Sequence, residues 1–124
     1  MQLTELRFEG ERLESAKVRR LYPDYEADFE YWFDASGRLT ALEGSVEVWG
    51  KWIGRKDLLP GEDGSAPAGR MRFYGTETDE ERPEPERAGN YAGALERYPV
   101  YRRTEELPCG GELKEAVRMN AASK

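Results

Sequence analysis

The sequence predicts an α+β fold: a single domain built on a curved, mainly antiparallel sheet of about four to six strands, packed by a C-terminal helix. Three observations carry this expectation. The stretch Tyr25 to Asp34, YEADFEYWFD, alternates apolar and charged residues, placing Tyr25, Ala27, Phe29, Tyr31 and Phe33 on one side of an extended chain. Small residues and a Ser-Gly pair, Ala35-Ser36-Gly37-Arg38, then lead into a second apolar run from Leu39 to Trp52, which is a hairpin signal. Near the end of the chain, Leu113, Ala116 and Val117 follow Gly110-Gly111 at helical spacing, giving an amphipathic helix over Glu112 to Met119.

At the N-terminus a short strand is expected around Leu3 to Phe8 and another from Ala16 to Tyr22. Leu13, Ala16, Lys17, Arg20 and Leu21 fit a short helix almost as well. The central hairpin follows. Its register is set by burial, because a slip of one residue would send every apolar side chain to the wrong face. Closing the loop with Asp34 and Leu39 sets Tyr31 opposite Leu42, Phe29 opposite Gly44, Ala27 opposite Val46 and Tyr25 opposite Val48. The other face then carries Glu30 opposite Glu43, Asp28 opposite Ser45 and Glu26 opposite Glu47, with Trp49 opposite Asp24. Gly44 and Gly50 within the second run suggest a bulge or a close-packed aromatic neighbour.

Residues 54–69 (GRKDLLPGEDGSAPAG) read as a long loop, Arg70 to Thr76 as a third strand, and residues 77–90 (ETDEERPEPERAGN) as a second polar loop suited to disorder. A helical turn is expected between Tyr91 and Arg97 and a fourth, edge strand from Val100 to Glu105. Residues 1–120 form the expected domain and residues 121–124 a frayed tail.

The formal net charge of −6 and a pI near 4.9 oppose the counterion release that drives nucleic-acid binding, so no direct nucleic-acid partner is expected. Fourteen of the 19 basic residues are Arg, which favours bidentate pairing with carboxylates. No apolar window resembles a signal peptide or membrane span, and the single cysteine, Cys109, points to a reducing, cytoplasmic setting. The absence of histidine removes the usual general base, the Ser-His and Cys-His nucleophile systems and His-ligated metals. No glycine loop has the residues of a phosphate-binding motif. No cofactor and no metal are expected, since a flat strand bearing Glu26, Asp28 and Glu30 lacks the loop carbonyls that calcium prefers. Cys109 precedes a helix, where a thiol pKa falls, but it lacks a His or second Cys to activate it.

The most specific feature is the acidic face of the hairpin. Glu30 and Glu43 form a cross-strand pair of the kind glycosidases use, yet Trp32 and Trp49 lie too far apart, about 26 Å along the strands, to make one sugar platform. The plain reading is a solvated lattice in which Arg70 and Arg72 reach Glu43 and Glu47, and Arg20 meets Glu26 or Asp28, each pair contributing about 0–1 kcal/mol. The functional reading is that the lattice is incomplete. Glu26, Asp28, Glu30, Trp32, Glu43, Glu47 and Trp49 then form an acidic, aromatic surface for a basic protein partner, as in an inhibitor, an immunity-type protein or an adaptor. Two further readings are a half-open barrel enclosing a small apolar ligand in its aromatic inner face, and an enzyme that relies on carboxylates.

Overall fold

The computed structural model describes residues 2–67 and 69–107. Seven strands run in chain order across one open antiparallel sheet: β1 (Gln2–Glu9), β2 (Arg12–Leu21), β3 (Tyr25–Phe33), β4 (Leu39–Val48), β5 (Trp52–Asp57), β6 (Arg72–Tyr74) and β7 (Glu81–Arg82). The architecture is α+β-like, with a single four-residue α-helix, α1 (Gly89–Ala92), among the described residues. The expected helix over residues 112–119, Cys109 and the tail 121–124 lie outside the described residues. No helix among the described residues is long and apolar enough to cross a membrane.

The strand count exceeds the expected four to six for two physical reasons. The run Leu39 to Trp52 is two strands, since the chain reverses at Trp49-Gly50-Lys51, closed by a 2.9 Å bond from the Lys51 N–H to the Val48 carbonyl. Gly50 has φ +74°, a left-handed conformation that glycine adopts without strain, so it marks a turn and not a weakened strand. Residues 54–57, expected in a loop, instead continue β5 against β4, with Gly54 opposite Val46 and Lys56 opposite Gly44. The polar stretch 77–90 also contributes β7, which pairs Arg82 with Phe73 and Glu81 with Tyr74.

The helix-like spacing near the N-terminus comes from bulges. In the β1–β2 ladder Leu3 faces Val18, Leu6 faces Ala16 and Phe8 faces Leu13, with register shifts between Leu3 and Glu5 and between Arg7 and Phe8. Each bulge inserts one residue, so Leu3 to Leu6 and Leu13 to Ala16 are spaced by three while remaining on one face. The segment 12–21 is a strand throughout.

In the central hairpin Tyr31 faces Leu42, Phe29 faces Gly44, Ala27 faces Val46 and Tyr25 faces Val48, the register that burial demands. Phe29, Tyr31, Leu42, Val18 and Val46 are fully buried on this inner face. Gly44 has no bulge beside it. A side chain there would collide with Leu58, and it would lie 3.1 Å from Leu95, so the glycine admits two aliphatic side chains where an aromatic neighbour was expected.

The inner face is covered by residues 88–107, which return across it as an irregular strap. Tyr91 packs edge-on against Tyr25 and Trp52, Tyr98 stacks on Phe29, and Tyr101 lies on Tyr31. Two hydroxyls pin the strap: Tyr31 donates to the Pro99 carbonyl at 2.9 Å, and Tyr98 donates to the Leu58 carbonyl at 2.7 Å. The helical turn expected between Tyr91 and Arg97 is α1 continued by a 3-10 turn, Gly93–Leu95. The strand expected over Val100 to Glu105 does not form. The segment makes one isolated bridge, Arg103 to Arg38, then a 3-10 turn at Thr104–Glu106, because Tyr101 packs on the sheet face against Tyr31 while Arg102 and Arg103 stay exposed.

Candidate interaction face

Period-two alternation places most charged residues of β2, β3 and β4 on the outer face in rows across the sheet, Arg20 excepted. One row runs Glu5, Lys17, Glu30, Glu43, Asp57; the next runs Arg19, Asp28, Ser45, Arg55, Arg72; the third runs Leu21, Glu26, Glu47, Ile53, Tyr74. In the first row Lys17 bridges Glu5 at 3.6 Å and Glu30 at 3.9 Å. Glu43 is exposed, flanked by Glu30 and Asp57, and has no ion pair among the described residues.

The second and third rows meet at Arg19. Its Nε lies 2.8 Å from Asp28 Oδ1 and 2.6 Å from Glu26 Oε2. That nitrogen carries one hydrogen, and it points to Asp28, so Glu26 Oε2 is in charge contact yet buried without a hydrogen-bond donor. The other oxygen, Glu26 Oε1, accepts a 3.0 Å bond from the Trp49 indole. Glu26 is only 8% exposed, an unusual burial for a carboxylate.

Three carboxyls therefore share one cation, and their affinities for protons diverge. Burial raises Asp28 to about 6, opposed by its bond from Arg19 and reinforced by Glu26. Glu47 is also raised, by burial and by the negative charge of Glu26. For Glu26 burial acts upward, but the bond from Trp49, the neighbouring Asp28 and Glu47 carboxyls when they carry a proton, and the charge of Arg19 together hold it below the usual carboxylate value. Glu26 is thus the persistent anion, and Asp28 is the group that takes up a proton.

Trp49 and Leu21 lie above this cluster. They are the exposed large apolar side chains of the described residues, at 46% and 61%, and Leu21 is directly opposite Glu26 across β2 and β3. Comparison with known protein families, with curated proteins and with solved structures found no match. The chemistry of the face is therefore read from its own residues.

Of the seven side chains singled out from sequence, Glu26, Asp28, Glu47 and Trp49 come together in one cluster. Trp49 contacts Glu26 through the β4–β5 turn and does not pair with Asp24. Glu30 and Glu43 sit one row away, lining a depression of about 320 Å³ with Arg7, Lys17 and Arg55. Trp32 lies toward the far end of β3, opposite Ser15 and Ala41, with the Arg7 guanidinium 5.9 Å from its ring centre. Arg19 and Leu21 were not anticipated. Arg20, expected to pair with Glu26 or Asp28, lies opposite Ala27 with its guanidinium over the Phe29 ring, because it shares the inner side of β2 with Ala16 and Val18. Arg72 does not reach Glu43 or Glu47 either, since β5 separates β6 from β4. Among the described residues no group of three or more acidic or thiol side chains has the arrangement of a metal site.

Proposed function

We propose that this protein is a small acidic binding protein that engages a basic protein partner, in an inhibitor, immunity-type or adaptor role, through the outer face of β2 to β4. The observation that carries the reading is the exposed pair Leu21 and Trp49 flanking a carboxylate cluster that has one arginine for Glu26, Asp28 and Glu47. Desolvated aromatic anchors rimmed by charge are the energetic centres of many interfaces, and uncompensated negative charge accelerates encounter with a cationic surface. Trp49 is held by its indole bond to Glu26, so ordering it on binding costs little side-chain entropy. The cytoplasm is the proposed setting, on the single cysteine of the sequence.

The ligand-pocket reading has less support. The aromatic inner face is filled by the strap, with Phe29 and Tyr31 at 0% exposure beneath Tyr98 and Tyr101. A carboxylate enzyme has less support as well, because Glu30 and Glu43 line an open depression on a sheet face and not a deep cleft.

The test is affinity capture from source-cell lysate with the parent protein and with the L21S/W49A double variant, at low and high salt. A basic protein retained by the parent, released by salt and bound at least about tenfold more weakly by the double variant supports the interface. Equal retention by both proteins would remove this face from consideration.

A further inference from the structure

The opposite half of the outer face has the reverse electrostatic problem. Arg55 on β5 and Arg72 on β6 are directly opposed across the ladder, both exposed. Like charges so placed repel unless an anion lies between them. Three more cations, Lys56, Arg70 and Arg82, line the same notch, and none of the five has a carboxylate within ion-pair distance among the described residues, although Glu43, Asp57, Glu81 and Glu84 also border it. This is unexpected in a chain with 25 acidic residues against 19 basic ones, and it contrasts with Arg19, which has two carboxylate contacts. Arg55 is supported from one side by the Tyr74 ring, 5.2 Å from its guanidinium carbon, which limits its sweep without neutralising it.

The notch has a volume of about 810 Å³ and opens where β5 runs on past the start of β6. The ring of Tyr74, on the same face as the two arginines, gives it an aromatic wall beside the cations. That volume exceeds what a bare inorganic ion needs and falls in the range of small-molecule sites. Guanidinium groups present planar forks that match oxyanions in two-point contact.

We propose that the notch between β5 and β6 binds a phosphate monoester of a small organic molecule, with Arg55 and Arg72 clamping the phosphoryl oxygens and the Tyr74 ring contacting the organic group. The site is separate from the Leu21–Trp49 face and does not depend on the interface reading.

The experiment is isothermal titration of the full chain with phenyl phosphate and with inorganic phosphate, at constant ionic strength set by chloride. The parent should bind phenyl phosphate saturably and more tightly than inorganic phosphate. The R55Q/R72Q variant should bind at least about tenfold more weakly, as expected for losing charge-assisted bonds, while R38Q, remote from the notch, should match the parent. Removing two mutually repelling arginines should leave the unliganded double variant melting at or above the parent temperature, which separates loss of binding from loss of folding. No saturable binding by the parent, equal affinity for the two phosphates, or undiminished binding by R55Q/R72Q would overturn the assignment.

Discussion

Arg19 and Asp28 face each other across β2 and β3 and are joined by a 2.8 Å hydrogen bond, yet burial still raises Asp28 to about 6. The pair fails to neutralise itself because the same guanidinium also contacts Glu26. One cation divided among three carboxyls leaves the cluster short of positive charge. A cationic group supplied by a partner would relieve that shortage.

Replacing Arg19 with Met keeps its apolar stem and removes the charge. Glu26 and Asp28 are then left half-buried or buried without a cation. The expected loss is about 1–3 kcal/mol near pH 8, the range for leaving a buried carboxylate without its charged donor. It should shrink toward pH 4.5, where Asp28 is protonated in the parent as well. Urea unfolding at the two pH values measures this, and an R19M effect independent of pH would show that Arg19 serves only to pack.

The cluster also makes stability pH-dependent in a definite direction. Asp28 has a folded value of about 6 against an ordinary 3.8, so between those limits the folded state keeps a proton that the unfolded chain releases. Its contribution therefore falls as pH rises through that window, and the penalty is complete above about 6. Glu47, also raised, acts in the same sense, whereas Glu26, held low, contributes stability that is lost only as pH falls through its depressed folded value. Asp28→Asn removes the titrating group. Its stability relative to the parent should rise from pH 4 to pH 7.5, and an offset that stays flat across the range would show that Asp28 ionises normally.

Much of this arrangement was legible in the sequence, and the rest failed for physical reasons. Alternation over residues 25–34 specified the β3–β4 register from Tyr25 to Tyr31, because only one phase buries Phe29 and Tyr31 together with Leu42 and Val46, whereas at the turn a shift after Trp32 sets Leu39 opposite Phe33 and not Asp34. That register alone placed Glu26 beside Glu47. The identity of their cation was obscured because the β1–β2 bulges blur period two at the start of β2, although from Ser15 to Leu21 the ladder is regular and puts Arg19, not Arg20, on the face opposite Ala16 and Val18. The strap was hidden for another reason. Its tyrosines have no periodicity, since each is placed by a long-range contact, as Tyr98 is by Phe29 and the Leu58 carbonyl.

Gly44 tests how tightly the loop residues close over the sheet. A β-carbon at this position meets Leu58 and Leu95 at once, and both are buried. Gly44→Val should destabilise by about 1–3 kcal/mol, the usual cost of overpacking, despite the better strand propensity of valine. A combined G44V/L58A variant should recover part of the loss, because the alanine frees the space that the valine needs. Unfolding midpoints of the two variants check this, and additive losses would place the steric conflict elsewhere.

The strap is tied to the sheet by two kinds of bond, and Tyr31 separates them. Its hydroxyl holds the Pro99 carbonyl, while the backbone links Leu39 N–H to the Arg102 carbonyl and Thr104 N–H to the Gly37 carbonyl hold the segment beyond. Tyr31→Phe keeps the ring against Tyr101 and removes only the donor, which costs about 1 kcal/mol. If the strap opens as a unit while the sheet stays folded, that cost falls on strap opening. The amides of Leu39 and Thr104 should then exchange with solvent roughly fivefold faster in Y31F, while central β3 and β4 amides, protected by the ladder around Phe29 and Gly44, slow or quicken only with global stability. Hydrogen exchange followed residue by residue distinguishes the cases. Equal acceleration at Leu39, Thr104 and the central ladder would mean that strap and sheet unfold together, making the strap part of the cooperative core and not a separable cover.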